Sequence, residues 1–273
     1  MLYNCHTHTK RSHDSSAELE DIVIEALDAG LSGVVFTDHC DCEYHKSVDI
    51  IKQFKLCEKD VLRAKKRFGG SIELMFGIEL GDPLYAPEFA SEITSAHSYD
   101  AVLLSIHASR VKNFETPFSV IDFSKLEDEF INLYLKQYFD DMLESVKTFD
   151  FDILSHLTVP LRYIELVYGR KTDIKKHYPA IETILREIIK RHKTLEINTA
   201  SVEKGREVFF PDEKIIDMYL SLGGKDFSLG SDSHTAKGVS KGLKEAAELL
   251  RSKGIDEGVY YKNRKKIEYS LKG

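Results

Sequence analysis

Disulfide chemistry is the first thing this sequence cannot support. Its four cysteines, Cys5, Cys40, Cys42 and Cys57, are too few in 273 residues to staple a secreted scaffold and fit reduced thiols. Cys40 and Cys42 form a C-x-C pair that could hold metal; small buried thiols are the plainer reading. Long apolar runs are also missing. None approaches the roughly 18 residues of a membrane span, and no charged start with a small-residue cleavage site marks a secretory signal, so a cytoplasmic protein with no membrane partner is expected. Positive charge is in deficit: a net charge of −7, with no basic, aromatic-rich strip, argues against nucleic acid as a partner and leaves small anionic substrates open. Internal repeats and low-complexity segments are absent. Length and a 42% hydrophobic content suit one large α/β domain over residues 1–273.

What is present alternates. Apolar, strand-like runs occur at residues 2–5, 33–37, 72–78, 101–106, 151–155, 195–198 and 227–230. Helical spacing separates them. Leu19, Ile22, Val23, Ala26 and Leu27 make one stripe, with Ser15 and Glu18 as an expected capping box and Gly30 as the stop. Ile50, Phe54, Cys57, Val61, Ala64 and Phe68 make another, and similar stripes follow Pro179 and Pro211 and run over residues 243–250. Seven βα units with mostly short joints predict a parallel sheet, and a barrel if the sheet closes. Residues 111–125 form the longest irregular connection, expected near the mouth of any site.

The residues that follow each run decide between a closed barrel and an open sheet. His6, His8 and His13 follow the first, Asp38 and His39 the second, Glu79 the third, His107 the fourth, His156 the fifth, Asn198 the sixth, and Asp232 and His234 the seventh. Seven of the eleven histidines sit at these ends; His45 and His97 fall outside the pattern and are read as surface residues. In a barrel such side chains converge on one rim. Neutral imidazole and carboxylate are what borderline divalent metals accept. A tetrahedral ion takes about four ligands, so nine candidates imply two or three ions. His6 and His8, two apart on a strand, share a face and can reach one ion, as can Asp232 and His234. Glu79 lies between Ile78 and Leu80, where a lone carboxylate would be costly to bury. His13 has Asp14 beside it as a substitute ligand, and Asn198 is as readily a structural amide as a site residue.

In order along the chain, "HTHT" with His13, "TDH", "GIE", "IH", "SH", "EIN" and "GSDSH" resemble the polymerase and histidinol phosphatase family of metal-dependent phosphoesterases. The length and the "LEINTA" stretch look most like its stand-alone histidinol-phosphatase branch. The resemblance implies a distorted TIM-like (β/α)7 barrel and two or three divalent ions, zinc, iron or manganese. It implies hydrolysis of L-histidinol phosphate to histidinol and phosphate in histidine biosynthesis. By the same resemblance, His6, His8, Glu79 and Asp232 hold one ion, Glu79 bridges to a second held by His107 and His156, and His13, His39 and His234 hold a third.

The expected reaction is in-line attack on phosphorus by a metal-bridging hydroxide, with Glu79, Asp232 and His234 as the catalytic group and Asp232, His234 or a water protonating the leaving alkoxide. Arg110, Arg162 and Arg206 are the candidate phosphate clamps. Two other classes stay open at this point: a related phosphoesterase acting on nucleotides or oligonucleotide ends, and a non-catalytic metal-binding or sensing module. An amidohydrolase-type barrel is a weaker third.

Overall fold

A computed structural model describes residues 2–44, 49–112, 114–203, 205–206 and 208–272. Its parallel strands are β1 (Tyr3–Thr7), β2 (Gly33–Phe36), β3 (His39–Asp41), β4 (Glu73–Gly81), β5 (Ala101–Ser105), β6 (Ile153–Leu154), β7 (Thr194–Asn198) and β8 (Phe227–Gly230). β2 pairs with residues 73–76 of β4, and β3 with residues 79–81, so that His39 stands opposite Glu79. β2 and β3 are thus one strand interrupted at Thr37 and Asp38, and the sheet order is β1-β2-β4-β5-β6-β7-β8.

The ends of this sheet meet. The Asp232 amide donates to the His6 carbonyl at 2.9 Å and the His8 amide to the Ser233 carbonyl at 3.0 Å. Below that junction the fully buried Asn4 side chain replaces missing ladder bonds, donating to Ser231 Oγ and the Val239 carbonyl, both at 2.7 Å. A buried amide with its donors satisfied closes the gap without an orphaned polar group. The architecture is a distorted TIM-like (β/α)7 barrel in a single domain.

Helices Leu19–Asp28, Ile50–Phe68, Pro87–Ala96, Asp128–Thr148, Tyr178–Lys190, Glu213–Ser221 and Leu243–Ser252 wrap the outside. The first buries Leu19, Ile22, Val23 and Ala26 on the expected stripe and ends before Gly30, whose φ of +73° is the left-handed conformation glycine adopts freely. Its capping box does not form. Ser15 instead donates to the carbonyls of His8 (3.3 Å) and His234 (3.0 Å), tying the first and last site loops together. Pro87–Ala96 and Asp128–Thr148 have no counterpart in the sequence reading. In Asp128–Thr148 the buried face carries Asp141 and Ser145 among the aromatics, which blurs the apolar period.

The barrel interior is a small core of Cys5, Val35, Met75, Ala101, Leu103 and Ile153. A C-terminal antiparallel hairpin, β9 (Glu257–Lys262) and β10 (Lys265–Ser270), adds Val259, Tyr260 and Tyr261 to it and so seals the end where the strands begin. Its two turn residues, Asn263 and Arg264, both have positive φ (52° and 61°), as a tight two-residue hairpin turn requires. The polar strand ends lie at the opposite rim.

Candidate metal centre

At that rim β1 brings His6 and His8 inward beside Glu79 of β4 and Asp232 just beyond β8. His6 Nε2 lies 3.1 Å from His8 Nε2, 3.4 Å from Glu79 Oε2 and 3.6 Å from Asp232 Oδ1. His8 Nε2 lies 3.5 Å from Glu79 Oε2 and 3.2 Å from Asp232 Oδ1. Around a tetrahedral ion with bonds of about 2.0–2.1 Å, neighbouring donors stand roughly 3.3 Å apart. These five spacings are those of such a shell.

The other Glu79 oxygen serves a second set. Oε1 is 3.1 Å from His107 Nε2 and 2.9 Å from His156 Nε2. A third set lies outward: His39 Nε2 is 3.3 Å from His234 Nε2, and the Asp14 carboxylate is 3.0 Å from His234 Nε2 and 3.6 Å from His39 Nε2. His13 is not part of it. Its ring is 66% exposed, 3.7 Å from Asp41 and with its centroid 5.4 Å from that of His39, because the turn after Ser12 aims Asp14 rather than His13 at the imidazole nitrogens.

The imidazoles are aimed by the atoms behind them. Nδ1–H of His6 donates to Glu196 Oε1 (2.7 Å), of His8 to Ser12 Oγ (3.1 Å), of His107 to Asp41 Oδ1 (2.9 Å) and of His234 to the Asp232 carbonyl (3.1 Å). Each bond fixes the tautomer that leaves Nε2 bare toward the cluster. Asp38 stands one step further back, accepting from Ser12 Oγ at 2.8 Å. Close approach here requires glycine: a Cβ on Gly230 would fall 2.1 Å from Glu196 Oε1, and one on Gly81 2.5 Å from Asp41 Oδ1. His156 and Asp232, which both deliver donors to the cluster, are held at φ 22° and 49°, a backbone strain stored at the site.

Burial alone would raise the Glu79 carboxyl, but the charges of His107, His6 and His39 outweigh it and hold it well below the usual range. His8 is held well below its ordinary value by burial and then by His39 and His234. Glu79 Oε2 and His156 Nδ1 are enclosed with no hydrogen-bond partner, and His39 Nδ1, though 2.8 Å from Glu79 Oε2, makes no hydrogen bond with it. Bare nitrogens facing bare oxygens suit cations better than they suit one another.

The cluster floors a cavity of about 840 Å³. Phe118 and Val120, from the connection expected at the mouth, form part of its wall, and the Phe118 amide donates to the His107 carbonyl at 2.9 Å. Arg162 opens a short π-helix (Arg162–Val167), is 9% exposed, and lies against the Tyr163 ring without an ion pair among the described residues.

The sequence model of the PHP domain matches residues 4–200. The chain belongs to the PHP domain family. It is 28% identical over 250 residues to a probable histidinol-phosphatase of Thermotoga maritima, covering 92% of this chain and 91% of that one. It is 27% identical over 259 residues to the histidinol-phosphatase of Lactococcus lactis, covering 92% and 91%. The crystal structure of histidinol phosphate phosphatase from that organism, complexed with zinc, L-histidinol and phosphate, superimposes with a TM-score of 0.76 over 97% of this chain and 98% of that one, at 22% identity.

Within this PHP domain, several expected residues lie away from the cavity. Arg110 is spent on Asp141 (Nε to Oδ1, 2.9 Å) and Glu144, both on helix Asp128–Thr148. Arg206 is exposed and does not line the cavity. Asn198 is a buried connector, donating to Glu196 Oε2 at 3.2 Å and Asp232 Oδ2 at 3.3 Å. Cys40 and Cys42 are fully buried, with Cys42 Sγ 3.8 Å from the Cys40 carbonyl. His97 is not a free surface residue: it bonds Glu58 at 3.0 Å, edge-on to Phe76. His45 lies outside the described residues. Glu196 and Asp41 were missed. The period of two would have found Glu196, which shares an inward face with Asn198.

Proposed function

We propose that this protein hydrolyses L-histidinol phosphate to L-histidinol and phosphate, using two or three divalent ions at the β-strand C-terminal rim. The observation that carries the reading is the Glu79 carboxylate, one oxygen in a tetrahedrally spaced set with His6, His8 and Asp232 and the other facing His107 and His156. His6, His8, Glu79 and Asp232 would hold the first ion, and Glu79, His107 and His156 the second. Asp14 would join His39 and His234 on the third, in place of His13. Zinc is the favoured metal, because a histidinol phosphate phosphatase of the same fold is complexed with it; iron and manganese accept the same donors. When bound, such ions lower the pKa of water toward neutrality and offset charge on phosphoryl oxygens.

The chain's own groups do the rest. Arg162 presents an uncommitted guanidinium to the cavity and clamps phosphate oxygens. Asp232 and His234, both on the cavity wall, are placed to orient a water that returns a proton to the leaving alkoxide. Phe118 and Tyr163, with ring centroids 5.1 Å apart, limit water around the organic group. We place this activity in the cytoplasm, with a small metabolite rather than nucleic acid as partner and residues 1–273 as one catalytic domain.

The test is a panel assay of pure protein reloaded with zinc, manganese or iron, offering L-histidinol phosphate, nucleoside monophosphates and p-nitrophenyl phosphate, with elemental analysis of each preparation. Highest kcat/KM on histidinol phosphate, abolished by chelator, is expected. Preference for nucleotides, or no turnover at full metal content, would overturn the reading.

A further inference from the structure

Three carboxylates gather on the side of His107 that faces away from Glu79. Asp41 ends β3, Glu43 lies in the single turn Cys42–Tyr44, and Asp82 follows β4 with φ at 52°. Oxygens of Asp41 and Asp82 and a ring nitrogen of His107 all lie within 4.8 Å of one another. Asp82 is 1% exposed. Its Oδ1 accepts from the amides of His107 (2.8 Å) and Ala108 (3.0 Å), while its enclosed Oδ2 has no partner. Both Glu43 oxygens are likewise enclosed without a hydrogen-bond partner, and Asp41 and Asp82 are the acids that act on the Glu43 carboxyl. Neither acid pairs with a lysine or arginine among the described residues.

Neighbouring carboxylates with enclosed, unbonded oxygens repel one another unless a counter-charge lies between them. The donor chemistry differs from that around Glu79: oxygen from three acids rather than imidazole nitrogen, the preference of hard cations.

We infer that Asp41, Glu43 and Asp82 form a separate binding site for a hard divalent cation of the calcium or magnesium class. Occupied, it offsets the repulsion among the three acids, fixes the Asp82 turn that carries the His107 and Ala108 amides, and steadies the Asp41 carboxylate that orients His107. It is a structural site behind the imidazole cluster, and its existence does not depend on the substrate.

The test reads binding, not turnover. Zinc-loaded full-length protein is titrated with calcium or magnesium chloride by calorimetry and followed by thermal melting. Wild type should take up one further ion per chain and melt higher, as a ligand of the native state alone requires. E43Q and D82N should lose that response; E43Q, which leaves the Asp82 bonds to the His107 turn in place, keeps the test sound if D82N folds poorly. No uptake by the folded, zinc-loaded wild type up to about 10 mM, tenfold beyond the weakest calcium modules, would overturn the site. So would uptake that survives both substitutions, or the loss of one zinc per chain in E43Q.

Discussion

The two ends of this barrel solve opposite problems with the same strands. At the start of the strands, the hairpin β9–β10 sets Tyr260 against Tyr3 with ring centroids 3.9 Å apart, and Tyr261 donates to or accepts from Thr194 Oγ1 at 2.9 Å. Arg264 at its tip pairs with Asp150 (2.9 Å) and Asp152, and its amide donates to the Asp100 carbonyl (2.9 Å). Local turn chemistry, packing and charge all agree there. At the other end nearly every rule is broken: His6, His8 and Glu79 are fully buried, donors face donors, and His156 and Asp232 have positive φ. Consistency marks the end that holds the fold together, and conflict marks the end built to bind something. In a TIM-like barrel the conflict belongs at the C-terminal rim.

The widest separation of the two ends should come from Glu79→Gln. It removes the carboxylate shared by two donor sets, so metal content should collapse and kcat fall on the order of 10³-fold or more. The metal-free variant should nonetheless unfold at the same urea concentration as metal-free wild type. A clear drop in that midpoint would mean that the rim also carries stability. The converse change is Tyr261→Ala. Deleting a side chain that is 4% exposed within the barrel core should cost about 3–5 kcal/mol in urea unfolding. Metal content and kcat per folded molecule should stay at wild-type values; a rate loss at full folding would show that the plug reaches the chemistry.

Smaller effects sharpen the division within the rim. Arg162→Ala should lower kcat/KM by about 10²-fold, the scale of one lost charge-assisted contact to phosphate, with metal content unchanged. Loss of metal in that variant would reassign Arg162 to a structural role. Glu196→Gln keeps the side chain's shape but weakens the Nδ1 anchor of His6 and the bond from the His156 amide, 2.7 Å from Glu196 Oε2. Positioning acids of this kind are worth about 10–100-fold in metal affinity or activity. Zinc affinity measured by competition with a chelating dye should fall within that range, and an unchanged affinity would remove Glu196 from the machinery.

How much of this was legible in the chain follows from which interactions are local. The strand-then-ligand order could be read because a period of two and a polar residue at the end of an apolar run are both local signals, and β7 and β8 lie where those signals put them. The interruption between β2 and β3 was not legible, since only pairing with β4 shows that residues 39–41 resume a strand. The hairpin was missed for a related reason: its tyrosines stand beside lysine and glutamate and look like surface until the barrel floor is known. Arg110 looked free because its partner Asp141 sits on a helix whose buried face is mixed. Glu196 was legible by the same period of two, which sets it on one face with Asn198, but inside an apolar strand it did not stand out as a polar strand end.

The finest distinction is between two adjacent residues. His13 has the better ligand chemistry by type, while Asp14 has the position: its carboxylate reaches both His234 and His39, and the His13 ring stays 66% exposed. Backbone direction in a tight turn decides which of two neighbours faces inward, and residue type does not report that direction. Asp14→Ala should therefore cost the outermost ion and part of the activity, whereas His13→Ala, an exposed substitution, should change stability by less than about 0.5 kcal/mol and leave metal content alone. Elemental analysis of the two variants side by side separates them. One ion lost from the His13 variant and none from the Asp14 variant would mean that the turn rearranges when metal binds, and that the chemistry of the side chain, rather than the direction of the chain, selects the third ligand.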